Sequence, residues 1–257
     1  MRRVLAIGIG AGDLEHLTAG AIRALNQADV LFEIERGVGD LTALRQEICR
    51  RYIEPSRRYR TVAVPEPGRN RAAPAYGAAV EDWRARRAEV WEGLIEQELG
   101  PEGCGAFLVW GDPSLYDSTI AVLDQVLARG RTKFELEVVP GISSVQALTA
   151  RHRIALNRVG GAVILTTGRR LAEHGFPPGV DDVVVMLDAH CSFRGLDPEG
   201  IEIYWGAYLG TEDEILVSGP LAEVGDEIER RRAQARERKG WIMDTYLLRR
   251  QRALAGE

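Results

Sequence analysis

The sequence predicts an α/β protein, with a parallel sheet and helices on both its faces in the first half and a mixed α/β arrangement in the second. Two observations carry this. In the first half, apolar runs of strand length alternate with segments of helical apolar spacing, the pattern of strand, crossover helix and parallel strand. Past residue 153 the strand-like runs crowd together, and one pair is joined by a short glycine-containing loop that favours antiparallel neighbours. The chain is therefore expected to group as residues 1–153 and 154–257.

Residues 3–9 open the sheet, with β-branched Val4 and Ile7 and a stop at the turn Gly8-Ile9-Gly10-Ala11-Gly12-Asp13. Thr18 suits the N-cap of a helix with Ala21, Ile22 and Leu25 on one face, and residues 30–32 give the second strand. A helix is expected over 41–52, a short strand over 61–64 before the Pro65-Glu66-Pro67-Gly68 break, and a long helix over 76–99. Residues 105–110 form a buried strand that runs into Gly111-Asp112-Pro113, with a helix over 118–128 behind it. Residues 134–139 are the next strand, stopped by Pro140-Gly141, and Ser143 or Ser144 caps the short helix that follows. In the second half strands are expected at 162–166, 183–187, 201–209 and 214–217, with a hairpin loop over 209–213. A charged helix over 221–238 and a final strand over 241–248 complete the list of elements.

Composition narrows the function. The chain carries 33 basic and 38 acidic side chains, a formal charge of −5, which excludes a nucleic-acid binder held by bulk charge. Hydrophobic residues make up 45% and charged residues 28%, as in globular rather than disordered chains. The first apolar run, residues 4–9, is far short of the roughly 20 residues that cross a bilayer, so a cytoplasmic protein without membrane contact is expected. Cys49, Cys104 and Cys191 are widely spaced and form no Cys-x-x-Cys pair, so neither a disulfide framework nor a metal site is expected. Only Lys133 and Lys239 are lysines, and neither stands in a phosphate-binding loop, which removes P-loop and kinase-like phosphoryl transfer. The other 31 basic residues are arginines, suited to forked contacts with carboxylates.

The first glycine cluster invites a dinucleotide reading, but Gly-x-Gly-x-x-Gly needs glycine where this chain has Asp13. A carboxylate there would face a pyrophosphate at a helix start, so an NAD-linked oxidoreductase loses its main support. Gly111-Asp112-Pro113 lies at the carboxyl end of a buried strand, where open α/β sheets place ligands. There Gly111 permits close approach, Pro113 stiffens the loop and Asp112 can hold its shape by accepting backbone amides. Pro140-Gly141-Ile142-Ser143-Ser144 repeats the arrangement after the following strand, and a plain structural turn is the alternative at each loop.

Taken in order, Gly8-Ile9-Gly10-Ala11-Gly12-Asp13 with Leu17-Thr18, Gly111-Asp112-Pro113, Pro140-Gly141-Ile142-Ser143-Ser144 and Leu209-Gly210-Thr211-x-Asp213-Glu214 resemble the tetrapyrrole (corrin/porphyrin) methyltransferase family over nearly the whole chain. Longer segments, residues 108–119, 166–171, 185–188, 204–211 and 240–248, are similar to its deacetylating branch. The resemblance implies a bilobal, homodimeric α/β enzyme that binds S-adenosylmethionine folded between its lobes. It also implies C-methylation of a precorrin in cobalamin biosynthesis, at C1 of precorrin-5, with a two-carbon acyl group released as acetate. Another precorrin or uroporphyrinogen carbon is the alternative within the family.

Carried over by motif, the resemblance implies cofactor contacts at Ala11, Gly111, Asp112, Leu115, Tyr116, Ser143 and Ser144, with Met186, Leu187, Ala207 and Met243 from the second lobe. A precorrin is rich in carboxylates, and between residues 50 and 71 seven arginines stand against two acids. Arg57, Arg58, Arg60, Arg69 and Arg71, with Arg169 and Arg170 further on, are therefore expected to bind substrate. The run from 230 to 239 is expected to be an exposed helix face. Deacylation needs a proton-handling residue; Glu33, Glu35, Asp188 and His190, which follow strands, are the candidates, with His152 behind them.

Overall fold

The computed structural model describes residues 1–34, 39–68 and 76–251, and the chain divides into two compact units, Met1–Ser143 and Ser144–Glu257. Glu35, Arg69 and Arg71 lie outside the described residues.

The first unit runs β1 (Arg3–Gly8), α1 (Ala19–Leu25), β2 (Val30–Ile34), α2 (Gly39–Tyr52), β3 (Arg60–Val64), α3 (Tyr76–Glu98), β4 (Cys104–Val109), α4 (Thr119–Arg129) and β5 (Glu135–Val139). Its strands are all parallel in the order β3-β2-β4-β1-β5. The period of two along each strand sends alternate residues to opposite faces. Val4, Ala6, Phe32 and Phe107 pack with Trp91, Ile95, Val122 and Val126 of α3 and α4. Leu5, Ile7, Leu31 and Leu108 pack on the other side with Ala21, Leu25 and Ile48 of α1 and α2. Helices thus cover both faces, as the near-continuous apolar strands require. The Trp91 ring stacks on Phe107 with centroids 4.2 Å apart, a contact worth about 0.5–1.5 kcal/mol beyond the area it buries.

Local signals act where expected. Thr18 caps α1, its hydroxyl accepting the Ala21 N–H at 3.0 Å. Asp13 begins a short 3-10 turn over Leu14–His16 that the periodicity did not show, and its carboxylate accepts the Glu15 N–H at 2.8 Å. The carboxylate that spoils a dinucleotide motif is therefore a cap.

The second unit runs α5 (Ser144–His152), β6 (Val163–Thr167), α6 (Gly168–His174), β7 (Asp182–Met186), β8 (Ile201–Ala207), β9 (Ile215–Pro220), α7 (Leu221–Lys239) and β10 (Asp244–Arg250). The sheet order is β6-β7-β10-β8-β9; β6 and β7 are parallel and every other pairing is antiparallel, which makes the sheet mixed. Val183, Val185, Ile203, Trp205, Tyr246 and Leu248 form its core with Ile228 of α7. The α5 helix packs on β8, β9 and β10 and so belongs with this unit, which begins ten residues before the expected boundary. The strand expected to run to 209 stops at Ala207, because Tyr208 turns to φ +50°. Tyr208 then donates its N–H to the Met243 carbonyl at 2.9 Å, and residues 241–243 stay outside the sheet, so β10 starts only at Asp244. Among the described residues no helix is long and apolar enough to cross a membrane.

Candidate active site

In the first unit β4, β1 and β5 are neighbours, so the loops that leave their carboxyl ends lie side by side. Gly10 and Gly111 bridge reciprocally: the Gly111 N–H donates to the Gly10 carbonyl at 2.8 Å, and the Gly10 N–H to the Gly111 carbonyl at 3.3 Å. A Cβ on Gly8 would stand 2.5 Å from the Gly141 nitrogen, and one on Gly141 2.2 Å from the Gly111 carbonyl oxygen. Gly8 and Gly141 are thus required for backbone to touch backbone, whereas Gly111 is required for its φ of +70°. Among the described residues a Cβ on Gly111 would meet only Ser143 Cα, at 3.7 Å, which leaves room above that peptide.

Asp112 locks the arrangement. Its Oδ2 accepts the Gly141 N–H at 2.9 Å, and its Oδ1 accepts the Ser114 N–H at 2.8 Å and the Ser114 hydroxyl. Burial works against this charge, but the hydrogen bonds from Ser114 and Gly141 outweigh it and hold the carboxyl below its ordinary value. The far end of the same loop is propped from α3, where buried Arg87 donates to the Ser118 hydroxyl at 2.5 Å. Ala11 and Ser143 are buried, while Tyr116 is exposed at a φ of +51°.

One strand away from Gly111, Glu33 on β2 has a buried Oε1 with no hydrogen-bond partner among the described residues. It lines a cavity of about 220 Å³ beneath α2 with Arg45, Cys49, Tyr59, Thr61 and Leu108. Burial, with Glu33 adding to it, pushes the Cys49 thiol up to about 11, so the thiol there is inert.

The arginine cluster is not at this edge. Arg57, Arg58 and Arg60 sit at the amino end of β3, about 15 Å of strand from its carboxyl end. Arg57 lies 3.6 Å from Asp29, and Arg60 pairs with Glu98. Residues at the start of a parallel strand lie at the end opposite its carboxyl edge, so these three stand apart from the glycine loops.

In the second unit Met186, Leu187, Ala207 and Met243 do come together. Thr245 is opposite Met186, and Asp244 is opposite Ala207, so the ends of β7 and β8 and the start of β10 share one edge. Leu187 is 65% exposed and has a φ of +53°. Because β6 runs parallel to β7, Arg169 and Arg170 at the start of α6 belong to the same edge. Ser144 binds Thr245 through the two hydroxyls at 3.0 Å.

Asp188 is tied into the fold by four hydrogen bonds. Its carboxylate accepts the N–H groups of His190 and Ser192, the Ser192 hydroxyl and the Tyr246 hydroxyl, which leaves no free lone pair aimed outward. His190 lines a groove of about 570 Å³ along α7, and among the described residues no hydrogen bond orients its ring, as a general base requires. His152 places Nε2 3.0 Å from the Trp205 carbonyl, and burial holds it below its ordinary value. Arg232 is the residue the sequence misplaced: it is only 6% exposed, not on an open face. Its signal was present, since Leu221, Gly225, Ile228, Arg232 and Ala235 recur at four- and three-residue steps and share the buried side of α7.

The family description Tetrapyrrole (Corrin/Porphyrin) Methylases matches residues 3–225, which include all three glycine loops and Leu187. The chain belongs to this family. As a tetrapyrrole methylase it is 52% identical over 251 residues to the precorrin-6A synthase [deacetylating] of a Sinorhizobium species, covering 97% of this chain and 95% of that one. It also resembles the crystal structure of a putative cobalamin synthesis related protein from Corynebacterium diphtheriae, with a TM-score of 0.83 and 37% identity over 98% of this chain and all of the other. A uroporphyrin-III C-methyltransferase from Thermus thermophilus, solved in complex with S-adenosylhomocysteine, shares the fold at a TM-score of 0.57 and 19% identity, covering 96% and 91% of the two chains.

Proposed function

We propose that this tetrapyrrole methylase is an S-adenosylmethionine-dependent C-methyltransferase of cobalamin biosynthesis that methylates C1 of precorrin-5 and releases acetate to give precorrin-6A. The observation that carries this reading is the 52% identity to a deacetylating precorrin-6A synthase across 97% of the chain. The locked glycine loops support it, because a rigid backbone wall with open space at Gly111 suits a donor that must be held still.

When bound, S-adenosylmethionine supplies a methyl group made electrophilic by its sulfonium. The chain's own part is to bind and orient: Ala11, Gly111, Asp112, Leu115, Tyr116 and Ser143 in the first unit, and Ser144, Met186, Leu187, Ala207 and Met243 in the second, are the donor-contact residues. Asp112 acts by shape, since its carboxylate is already occupied. Arg169 and Arg170 bind substrate carboxylates. Glu33 is the proton-handling group: it takes a proton from the water that adds to the acyl carbon, the bond from ring to acyl carbon breaks, and the ring carbon takes up a proton as acetic acid forms. Homodimeric assembly and a cytoplasmic location complete the proposal.

Incubation with precorrin-5 and methyl-labelled S-adenosylmethionine tests it. One labelled methyl and one acetate per product are expected; label transfer without acetate would assign the chain to a different ring carbon, and no transfer would reject the activity.

A further inference from the structure

We propose that Arg232 is a positioning residue for the methyl donor, which fixes the backbone at Leu187 and Met243 from inside the second unit; this rests on the reading that those two residues face the donor. Its Nε donates to Asp244 Oδ2 at 2.8 Å, and one Nη donates to the Asp188 carbonyl at 2.6 Å. Asp244 follows Met243 and opens β10, and its Oδ2 also accepts the Trp205 indole N–H from β8 at 3.0 Å. Asp188 follows Leu187, and its carboxylate is filled in part by Tyr246 from β10 at 2.6 Å. A single guanidinium therefore ties the end of β7 to the start of β10 and, through Trp205, to β8.

What this brace holds is a conformation that does not hold itself. Leu187 is a non-glycine residue in the left-handed region, with most of its apolar side chain in solvent, so core burial does not stabilise it there. Fixing the next residue at both its carbonyl and its carboxylate keeps Leu187 in place. Burial works against the Arg232 charge, but Asp244 raises the guanidinium above its ordinary value; burial in turn raises the Asp244 carboxyl. The pair is ionised, because a neutral Asp244 would leave a buried cation uncompensated. A lysine in this place would offer a point charge to one partner, where the guanidinium fork serves both.

The test is S-adenosylhomocysteine binding by calorimetry on the full chain, with steady-state kinetics. If the unaltered chain does not bind, the donor reading itself fails and takes this proposal with it. Given binding, Arg232→Met should raise the Kd, and the KM for S-adenosylmethionine, by about tenfold, the factor by which loss of the left-handed conformer thins the competent population. At saturating donor kcat should stay within about threefold, and Arg232→Lys should recover part of the loss. A folded Arg232→Met protein with unchanged Kd overturns the proposal. Should that variant fail to fold, the double change with Leu187→Gly decides: glycine accepts the left-handed φ unaided, so Arg232→Lys should weaken binding less in that background. Equal losses in the two backgrounds would likewise overturn it.

Discussion

The Asp112 carboxylate accepts the backbone N–H of Gly141 at 2.9 Å and so ties the loop after β4 to the loop after β5. With Gly10 and Gly111 bridged on the other side, three strand ends become one rigid edge. Asp112→Asn should cost about 1.5–3 kcal/mol in urea unfolding, the range for hydrogen bonds to a charged group. Because the folded carboxyl sits below its ordinary value, its contribution is present above the unfolded pKa and is lost as pH falls through the folded one. The variant should therefore show a flatter acid limb of stability than the unaltered chain, and a matching limb in both would refute this account.

Two glycines separate crowding from backbone preference. Gly141→Ala puts a methyl 2.2 Å from the Gly111 carbonyl and should weaken S-adenosylhomocysteine binding as well as lower Tm. Gly130→Ala, at φ +71° in open space after α4, should cost only about 1–2 kcal/mol and leave binding unchanged. Calorimetry and thermal melts on the two variants make the comparison.

Glu33→Gln should split the two halves of the reaction. Label transfer is expected to persist while acetate release falls about 10²-fold or more, the usual weight of a proton-transfer group. Its Oε1 is buried without a partner among the described residues, so the amide should not lower Tm. Equal loss of methyl transfer and acetate would remove Glu33 from this role.

The arginines should divide by strand end. Arg58→Ala, at the amino end of β3, should leave the KM for the tetrapyrrole within about twofold, since exposed charges there have little to act on. Arg169→Ala combined with Arg170→Ala should raise it about tenfold or more, as loss of charge-assisted contacts does. The reverse pattern would restore the basic cluster as the substrate shelf.

Much of this edge was legible in the sequence. Gly8, Gly111 and Gly141 each end an apolar run, and runs that end in glycine at parallel strand ends mark ligand loops. The position of Arg57, Arg58 and Arg60 at the amino end of β3 was foreseeable too, because they come at the start of a strand that must run parallel to its neighbours. Arg232 was hidden by its charged neighbours, although its place in the stripe from Leu221 to Ala235 marked it as buried. Strand order, the packing of α5 with the second unit and the four hydrogen bonds on Asp188 depend on contacts between distant segments, which local periodicity does not encode.

Since β10 lies between β7 and β8, the second sheet lacks its middle until residues 244–250 leave the ribosome. Before then β6 with β7 and β8 with β9 are two separate pairs, each with a bare edge awaiting the same partner. Chains cut short ahead of Asp244 should thus accumulate as sticky, half-built species and not as a smaller stable body, and the arrival of β10 decides whether this unit folds or aggregates.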